Sequence, residues 1–404
     1  MEIIETNSEI NLTSHLAQTI VNRTMQILER NINIMDETGM IIGSGNAERV
    51  NTLHEGAREV ILEGKELKIS KQEAERLKGV KPGINLPIHF NGKIIGVVGI
   101  TGIPKEVEKH GGLVKMTAEL MLQQAFYLQR LQLEEQAEEY FIKELLNGDL
   151  DLKNALIYDR AEALGYNIKQ HLFVSILEVI NLWDELLTNS NNRGEAELHQ
   201  YIKRIRESIE KFFSRQTATK VFHLTGKKFI IISYENEEVR VLEDILKAKK
   251  RLVDRLKNRF KVDCRIGIGR VREGLLGIKK SFEEGLEAIN LGKKFYSSKE
   301  VYHIEDLKLE RMTKQLPVQV RKNFADILPL DHQFRQSLEV YFSNNLNISE
   351  TARNLYLHRN SIIYRLERIK EITGLDPKSF DDAVCLKLTL LCHMFETEDK
   401  SEFN

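Results

Sequence analysis

The sequence has few of the features that mark secreted, zinc-bound or membrane-spanning proteins. Its three cysteines, Cys264, Cys385 and Cys392, are widely spaced and odd in number, so they predict neither a disulfide framework nor a zinc site. A reducing cytoplasm is the expected compartment. The longest apolar stretch, Ile94 to Ile100, is far too short to cross a bilayer, and residues 1–30 lack the basic start and apolar run of a signal peptide. We therefore expect no membrane partner.

Excess charge of either sign is missing as well. The 59 Lys and Arg residues are balanced by 60 Asp and Glu residues, and the net charge of −1 argues against a non-specific, histone-like nucleic-acid binder. A hydrophobic content of 42% and a charged content of 29% are typical of globular proteins, and 404 residues suffice for two or three domains. A surface that binds nucleic acid must therefore be local.

One local concentration of cations lies in residues 347–370, which read NISETARNLYLHRNSIIYRLERIK. Apolar residues recur at helical spacing in both halves, so the stretch predicts two short helices, over about 348–356 and 359–372, joined by a tight turn. Asn347 and Glu350 form a favourable N-cap pair for the first helix. Tyr356 is unusual, because turns of this kind often carry glycine. The pattern indicates a helix-turn-helix.

The outward side of the second helix carries hydrogen-bond donors and cations, as a helix in a DNA major groove requires. An arginine-bearing amphipathic helix is more often a solvated surface helix, and the second helix alone favours that interpretation. The short turn, the N-cap pair and the local excess of cations favour DNA binding. On the DNA interpretation, side chains of both helices contact bases or phosphates. The candidate DNA contacts are Ser349, Thr351, His358, Arg359, Asn360, Ser361, Tyr364, Arg365 and Arg368.

The first hundred residues alternate helical and hairpin patterns. A helix is predicted over 12–31, a strand pair around Glu37-Thr38-Gly39, and a second hairpin in LPIHFNGKIIGVVGITG, where Asn91-Gly92 occupies the position of a type I′ turn. Helices beside hairpin strands suggest a small PAS-like α/β sensor domain, which can enclose a small ligand between sheet and helices.

Polar residues and glycines are concentrated between residues 43 and 58 of this domain. Arginine binds carboxylates bidentately, and glycine lets backbone amides approach an anion, so the segment suits a small hydroxylated carboxylate. It is equally compatible with Arg49 and Arg58 being surface cations paired with Glu48 and Glu59. The candidate ligand-binding residues are Ser44, Asn46, Arg49, His54, Gly56 and Arg58.

A long helix is predicted to leave this domain. From Leu113 to Leu146 no glycine or proline interrupts the chain, and apolar residues form two adjoining stripes. Such a helix can serve its own domain and a partner helix, so we interpret it as a connector and as the contact of a homodimer. Asn147-Gly148-Asp149 then marks a domain boundary.

Residues 150–300 alternate apolar strands with helices, which predicts an α/β domain. The predicted strands are His171–Val179, Val221–Ser233 and Val262–Ile268, and the predicted helices are at about 195–214, 238–260 and 273–292.

Within that domain TGKKF (225–229), CRIGIGR (264–270) and SFEEGLEAINLGKKF resemble the skeleton of a GGDEF domain. In active members the hairpin before the phenylalanine carries acidic residues that hold Mg²⁺ and nucleotide phosphates. This chain has Lys227 and Lys228 there, and lysine cannot ligate Mg²⁺. The resemblance therefore implies a degenerate, non-catalytic domain for transmission or dimerisation, and we expect no enzyme activity and no cofactor.

A resemblance extends over the whole chain. SETARNLYLHRNSIIYRLERIKEITGLDP closely resembles the PucR-type helix-turn-helix, and LAQTIVNRTMQILERNINIMDETGMIIGSG, with LHEGA and the second hairpin, looks like the sugar diacid recognition domain. Together with the GGDEF-like centre, the chain is similar to the carbohydrate diacid regulator family. The resemblance implies a bacterial transcription factor, usually an activator of diacid uptake and catabolism genes, that responds to glucarate, galactarate or glycerate. It also favours the anion-site interpretation of Arg49 and His54.

The expected fold class is multidomain α+β. Residues 1–135 are predicted to form the PAS-like sensor with its exit helix, 136–305 the degenerate GGDEF-like domain and 306–404 the all-α helix-turn-helix domain. The expected partners are operator DNA, a small carboxylate effector (glycerate or a sugar diacid) and a second copy of the chain. Two other functions stay open: a cyclic-dinucleotide enzyme or sensor in the central domain, and an adaptor whose C-terminal helices bind protein.

Overall fold

The structure is a computed structural model that describes residues 12–398, except 78–79, 149, 152–153, 168, 182–194, 214–218, 236–241 and 327–330. The chain divides into two units, Met1–Glu138 and Glu139–Asn404. In the described part of the chain, no helix has both the length and the apolar character needed to cross a membrane.

The first unit is a five-stranded sheet with helices on both faces. Its elements are α1 (Ser14–Leu28), β1 (Ile32–Asp36), β2 (Ile41–Ser44), a 3₁₀ turn (Ala47–Arg49), α2 (Glu55–Glu63), β3 (Leu67–Ile69), α3 (Lys71–Ala74), β4 (Gly83–Phe90), β5 (Lys93–Thr101) and α4 (Pro104–Asn147). The strands are antiparallel in the order β2-β1-β5-β4-β3.

Alternation along the strands separates two apolar layers, because successive side chains of a strand point to opposite faces. Ile34, Leu86 and Val98 pack with α1 and the first half of α4. On the opposite face, Met35 and Val97 pack under α2. Helix α2 thus packs on the face of the sheet opposite to α1 and α4.

The predicted second hairpin is confirmed. Asn91 (φ 46°) and Gly92 (φ 79°) connect β4 to β5, and both have the positive φ that a type I′ turn requires. The predicted strand pair around Glu37-Thr38-Gly39 is also present, as β1 and β2.

Helix α4 continues from Pro104 to Asn147, so the uninterrupted helix predicted from Leu113 is confirmed and begins earlier than expected. It ends where the boundary was predicted, and Gly148 follows with φ 84°. Asp149 lies outside the described residues.

The second unit contains a six-stranded sheet between two helical layers. Its elements up to residue 307 are α5 (Ala155–Ala163), β6 (His171–Val179), α6 (Glu195–Phe213), β7 (Thr219–His223), β8 (Lys228–Glu235), α7 (Leu242–Phe260), β9 (Cys264–Ile268), β10 (Arg272–Glu273), α8 (Gly274–Phe295), β11 (Val301–His303) and a 3₁₀ turn (Ile304–Leu307). The strand order is β11-β9-β6-β8-β7, with β10 paired to β6.

One strand prediction in this sheet is wrong. Val221–Ser233 is not a single strand but a hairpin of β7 and β8, because Gly226 adopts φ 57° between them. The sequence pattern does not reveal this turn, because the residues on both sides of it are apolar and are buried in the same sheet. The hairpin lies where the GGDEF resemblance places its motif.

The C-terminal part is all helical. It comprises α9 (Lys308–Gln315), α10 (Val318–Ala325), α11 (His332–Ser343), α12 (Ile348–Asn354), α13 (Arg359–Thr373) and α14 (Phe380–Glu398). Helices α11 to α14 surround a core that includes Leu338, Ala352, Ile362, Leu366 and Leu386.

Helix α14 belongs to two cores. Its Leu386 and Leu390 lie in the helical core, whereas Phe395 stacks edge-on against Phe295 of α8, with ring centroids 4.9 Å apart. Next to Phe395, the Glu396 carboxylate accepts from Arg321 Nε of α10 at 3.2 Å, and both side chains are largely buried. The helix therefore fixes the C-terminal helices to the central sheet domain.

Candidate functional sites

A row of polar and small residues crosses the first sheet under α2. The register places Ser44 opposite Asn33, Asn33 opposite Gly99, and Gly99 opposite Asn85, on four neighbouring strands. Residues opposite one another in a sheet point to the same face, so the four form one continuous row. They interrupt an otherwise apolar layer.

The row contains hydrogen-bonding groups that the protein leaves open. Ser44 Oγ donates to Asn33 Oδ1 at 2.7 Å, and both residues are buried. The buried Asn85 amide makes no side-chain hydrogen bond within the described residues. A Cβ on Gly99 would lie 2.6 Å from Asn85 Oδ1, so glycine keeps the space beside that amide clear. An amide beside a space that glycine keeps clear can bond a hydroxyl group, so this geometry suits a small polar ligand.

His54 lies above the row at the start of α2. Its Nδ1 accepts the Ala57 N–H at 3.1 Å as the helix N-cap, which leaves Nε2 as the protonated donor nitrogen of the neutral ring. Burial, followed by the charge of Arg49, lowers the pKa of His54 to about 4. His54 is therefore neutral near pH 7.

Gly56 brings the helix close to the sheet. A Cβ at this position would lie 3.3 Å from Asn85 Nδ2 and 3.4 Å from His54 Cε1, so the amide and the imidazole border the same point of α2. Arg49 is half-buried, and burial lowers its pKa. The cluster thus combines one guanidinium, one neutral imidazole and the polar row.

Four of the six predicted ligand residues, Ser44, Arg49, His54 and Gly56, lie at this cluster, and two do not. The exposed Asn46 uses its side chain to cap the 3₁₀ turn, accepting the Glu48 N–H at 3.1 Å. Arg58 is exposed on the outer side of α2, next to Gly39 of the β1–β2 turn. The capping role of Asn46 and the exposure of Arg58 set these two side chains apart from the other four.

Asn33, Asn85 and Gly99 were not predicted from the sequence. A signal was present, because each asparagine is flanked by apolar residues within a strand, in Ile32-Asn33-Ile34 and Ile84-Asn85-Leu86. Buried polar residues of this kind need a hydrogen-bond partner. Their convergence depends on strand register, which the pattern of single strands does not give.

The predicted helix pair is present as α12 and α13. Asn347 caps α12, and its Oδ1 accepts the N–H groups of Ser349 and Glu350 at 3.0 and 3.1 Å, so the predicted N-cap is confirmed. The Glu350 carboxylate does not complete a capping box; it pairs with Arg353 at 3.0 Å.

The turn between the helices needs a left-handed residue. The Leu357 N–H donates to Ala352 O at 2.9 Å and closes α12 in a Schellman motif, in which Tyr356 occupies the position that favours glycine. Tyr356 has φ 55°, and its side chain is 97% exposed. The unusual residue noted in the sequence is therefore strained and has almost no packing.

Helix α13 presents an open polar face at its start. His358 caps it by accepting the Asn360 N–H on Nδ1 at 3.2 Å. Arg359, Asn360 and Tyr364 are exposed, and Ser361 is half-buried. Arg368, one turn further along, is exposed but forms an ion pair with Glu371 at 2.6 Å.

Two predicted DNA contacts face inward. Thr351 is fully buried, and its hydroxyl donates to Asn347 O at 2.7 Å. Arg365 Nη1 donates to Ser337 Oγ of α11 at 2.8 Å. Thr351 therefore packs the helix pair, and Arg365 positions α13 against α11.

In the central hairpin, Lys227 Nζ donates to Ile180 O at 2.9 Å, at the end of β6. An ammonium group thus lies in the turn where the resemblance expects metal-binding carboxylates.

The chain matches three family descriptions: sugar diacid recognition over residues 12–145, GGDEF-like domain over 148–291 and PucR C-terminal helix-turn-helix domain over 334–392. The carbohydrate diacid regulator of Escherichia coli is 31% identical over 94% of this chain and 97% of its own length. An uncharacterized protein of Haemophilus influenzae is 30% identical over 95% of this chain and 100% of its own length. The purine catabolism regulatory protein of Bacillus subtilis is 32% identical over 32% of this chain and 26% of its own length.

Proposed function

The chain belongs to the carbohydrate diacid regulator family of transcriptional regulators, and from this premise we propose that it activates genes of sugar diacid uptake and catabolism in response to a small carboxylate. The proposed domains are residues 1–135, 136–305 and 306–404, acting in the cytoplasm as sensor, transmission and DNA-binding parts. The observation that carries the proposal is the Asn85 amide of the polar row, which borders the same point of α2 as a buried capping histidine that lies near Arg49.

The proposed sensor is PAS-like, and the β2-β1-β5-β4-β3 order with a ligand-sized polar row on one face supports this assignment. In the effector site, Arg49 binds a carboxylate, His54 Nε2 donates a hydrogen bond, and Asn33 and Asn85 bind hydroxyl groups. Because His54 is neutral, Arg49 is the cation that acts at this cluster, and one cation matches one carboxylate. We therefore rank glycerate ahead of glucarate and galactarate.

A thermal-shift panel of glycerate, glucarate, galactarate and unrelated acids tests the effector. A ligand at a hundred times its dissociation constant should stabilise the folded state by about 2.7 kcal/mol. Glycerate should give the largest shift at equal occupancy, and Arg49→Gln should abolish it. If none of the three acids shifts the melting temperature, the effector assignment is wrong.

For the DNA-binding surface we propose Ser349, His358, Arg359, Asn360, Ser361, Tyr364 and Arg368. Thr351 and Arg365 leave the set because their polar groups are engaged inside the domain. Arg359 and Asn360, at the exposed start of α13, are the proposed base-reading residues, and Arg368 contacts phosphate.

A gel-shift titration on the promoter region of the chain's own gene, at several salt concentrations, tests DNA binding. Wild-type protein should shift the fragment with an affinity that falls steeply with salt. Arg359→Ala should cost about 1–3 kcal/mol and relax specificity, whereas Arg368→Ala should weaken all sequences alike. The absence of a shift at low salt, with and without glycerate, would reject the proposal in favour of an adaptor that binds protein.

We further propose a homodimer through α4, since one helix-turn-helix makes too small a contact for specific affinity. Leu113, Leu120 and Tyr127 recur every seven residues, and Leu131 adjoins them. Each is more than half exposed within the described structure. A seven-residue apolar repeat is typical of a two-helix contact. Leu120→Glu should convert a dimer into a monomer in light scattering, and Glu119→Gln, at the neighbouring position, should not.

A further inference from the structure

The turn between α12 and α13 contains an energetic conflict. Tyr356 has the left-handed φ of 55° that costs any residue with a Cβ, and glycine would occupy this position without that cost. Its ring is 97% exposed, so burial in the folded domain does not offset the strain. A residue that is strained and unpacked is a candidate for a binding contact, because such residues cluster at functional sites.

The surroundings of Tyr356 indicate what binds it. The flanking Leu355 and Leu357 pack into the helical core, which fixes the backbone and holds the phenol away from the domain. His358, two residues later, caps α13, and Arg359 follows without an ion pair to any described residue. Three features favour an anion at this place: the phenol O–H, the exposed guanidinium and the start of a fifteen-residue helix.

We propose that the Tyr356 hydroxyl donates a hydrogen bond to a DNA backbone phosphate beside the base-reading end of α13. The inference rests on the proposed DNA-binding function and adds an uncharged phosphate contact to the proposed DNA-binding surface. Because the turn is already fixed, binding orders only the side-chain torsions of Tyr356. The contact with DNA would then offset the backbone strain of Tyr356, which no packing offsets in the free protein.

Tyr356→Gly and Tyr356→Phe test the contact in the full chain, with the promoter fragment and an unrelated duplex of equal length. Both variants should bind both duplexes about fivefold more weakly, because a phosphate contact carries no sequence information. Tyr356→Gly should also raise the melting temperature of the free protein by a few degrees through release of the left-handed strain. Tyr356→Phe should leave it unchanged.

Salt dependence separates this contact from that of a cation. A neutral hydroxyl releases no counterion, so the slope of log affinity against log salt should be the same for wild type and Tyr356→Phe, whereas Arg368→Ala should reduce it by about one. Lys261→Gly is the matched control, because Lys261 also has a positive φ, of 58°, but lies in the turn between α7 and β9. It should relieve strain without weakening DNA binding.

Unchanged binding by Tyr356→Phe would overturn the phosphate contact, as would weakening confined to the promoter fragment, which indicates base reading. If the tyrosine variants bind DNA normally but lose a protein partner in pull-down, the residue belongs to a protein interface and the inference is wrong. These results differ from failure of the proposed function, in which the wild-type chain itself binds neither duplex.

Discussion

Two histidines of this chain begin helices in the same way but in opposite surroundings. His54 and His358 each accept an N–H of the first turn on Nδ1, at 3.1 and 3.2 Å. His54 is buried under α2 beside an arginine, whereas His358 is exposed at the start of α13. The polar groups of the proposed effector cluster are therefore desolvated, whereas those of the helix pair are solvated. Burial, not residue type, separates the two kinds of site.

The largest expected effect is the loss of the stability that His54 contributes when the pH falls. The pKa of His54 is about 4 in the folded protein and rises to its ordinary value of 6.5 on unfolding, so the unfolded chain binds the proton first as pH falls. Stability from this group is complete above pH 6.5 and is lost towards pH 4, about 3 kcal/mol in total. Urea denaturation of wild type and His54→Asn across this range should give a difference that shrinks in acid.

His358→Asn is the matched control, since asparagine is also a good N-cap and the position is exposed. Its free energy of unfolding at neutral pH should stay close to that of the wild type. Parallel pH profiles for wild type and His54→Asn would show that His54 is not desolvated in the folded protein.

A smaller effect, the loss of about 2.7 kcal/mol of stabilisation by a saturating effector, is expected when Asn85 of the polar row is replaced. Asn85→Leu replaces an open buried amide with an apolar group of similar size, so the free protein should keep or gain stability. The stabilisation by a saturating effector should disappear. Thermal shifts with and without glycerate measure both quantities, and a retained shift would remove Asn85 from the site. Asn46→Leu, at the exposed cap outside the cluster, should keep the effector shift.

Two arginines of α13 should separate folding from binding. Arg365→Ala should destabilise the C-terminal helices by about 1–2 kcal/mol, because Ser337 loses a charged donor in a part-buried contact. Arg359→Ala should leave melting unchanged and reduce DNA affinity. Melting curves and gel shifts on both variants check this, and equal stability losses would contradict the distinction.

The smallest expected change is a gain. Glu371 pairs with Arg368 on the exposed surface, and removing the carboxylate in Glu371→Gln frees the guanidinium for phosphate. DNA affinity should rise by about twofold, in keeping with the modest energy of an exposed ion pair. Fluorescence anisotropy at low and high salt measures the gain, which salt should diminish. Glu367→Gln, whose carboxylate pairs with Lys378 instead, is the comparison.

Local chemistry in the sequence predicted much of the fold. Asn91-Gly92 predicted a turn because both residues readily adopt positive φ, and Asn347 predicted a cap because its side chain accepts nearby backbone N–H groups. The effector cluster was only half predicted, since Asn33 and Asn85 meet through a register that spans more than fifty residues of chain. Arg365 was placed on the DNA face because helical periodicity cannot show that α11 lies against it.

Helix α14 has a consequence for exchanging parts between relatives. The helix-turn-helix match ends at residue 392, yet beyond it Phe395 contacts Phe295 of the central domain and Glu396 pairs with Arg321 of α10. Consider a chimaera in which residues 334–392 come from another regulator and the rest from this chain. Its α14 would combine the helical-core residues of one protein with the Phe395 and Glu396 contacts of the other. A chimaera should therefore exchange α9, α10 and the end of α14 together with the helix-turn-helix. Only then would the DNA-binding domain keep the contacts that fix it to the central domain.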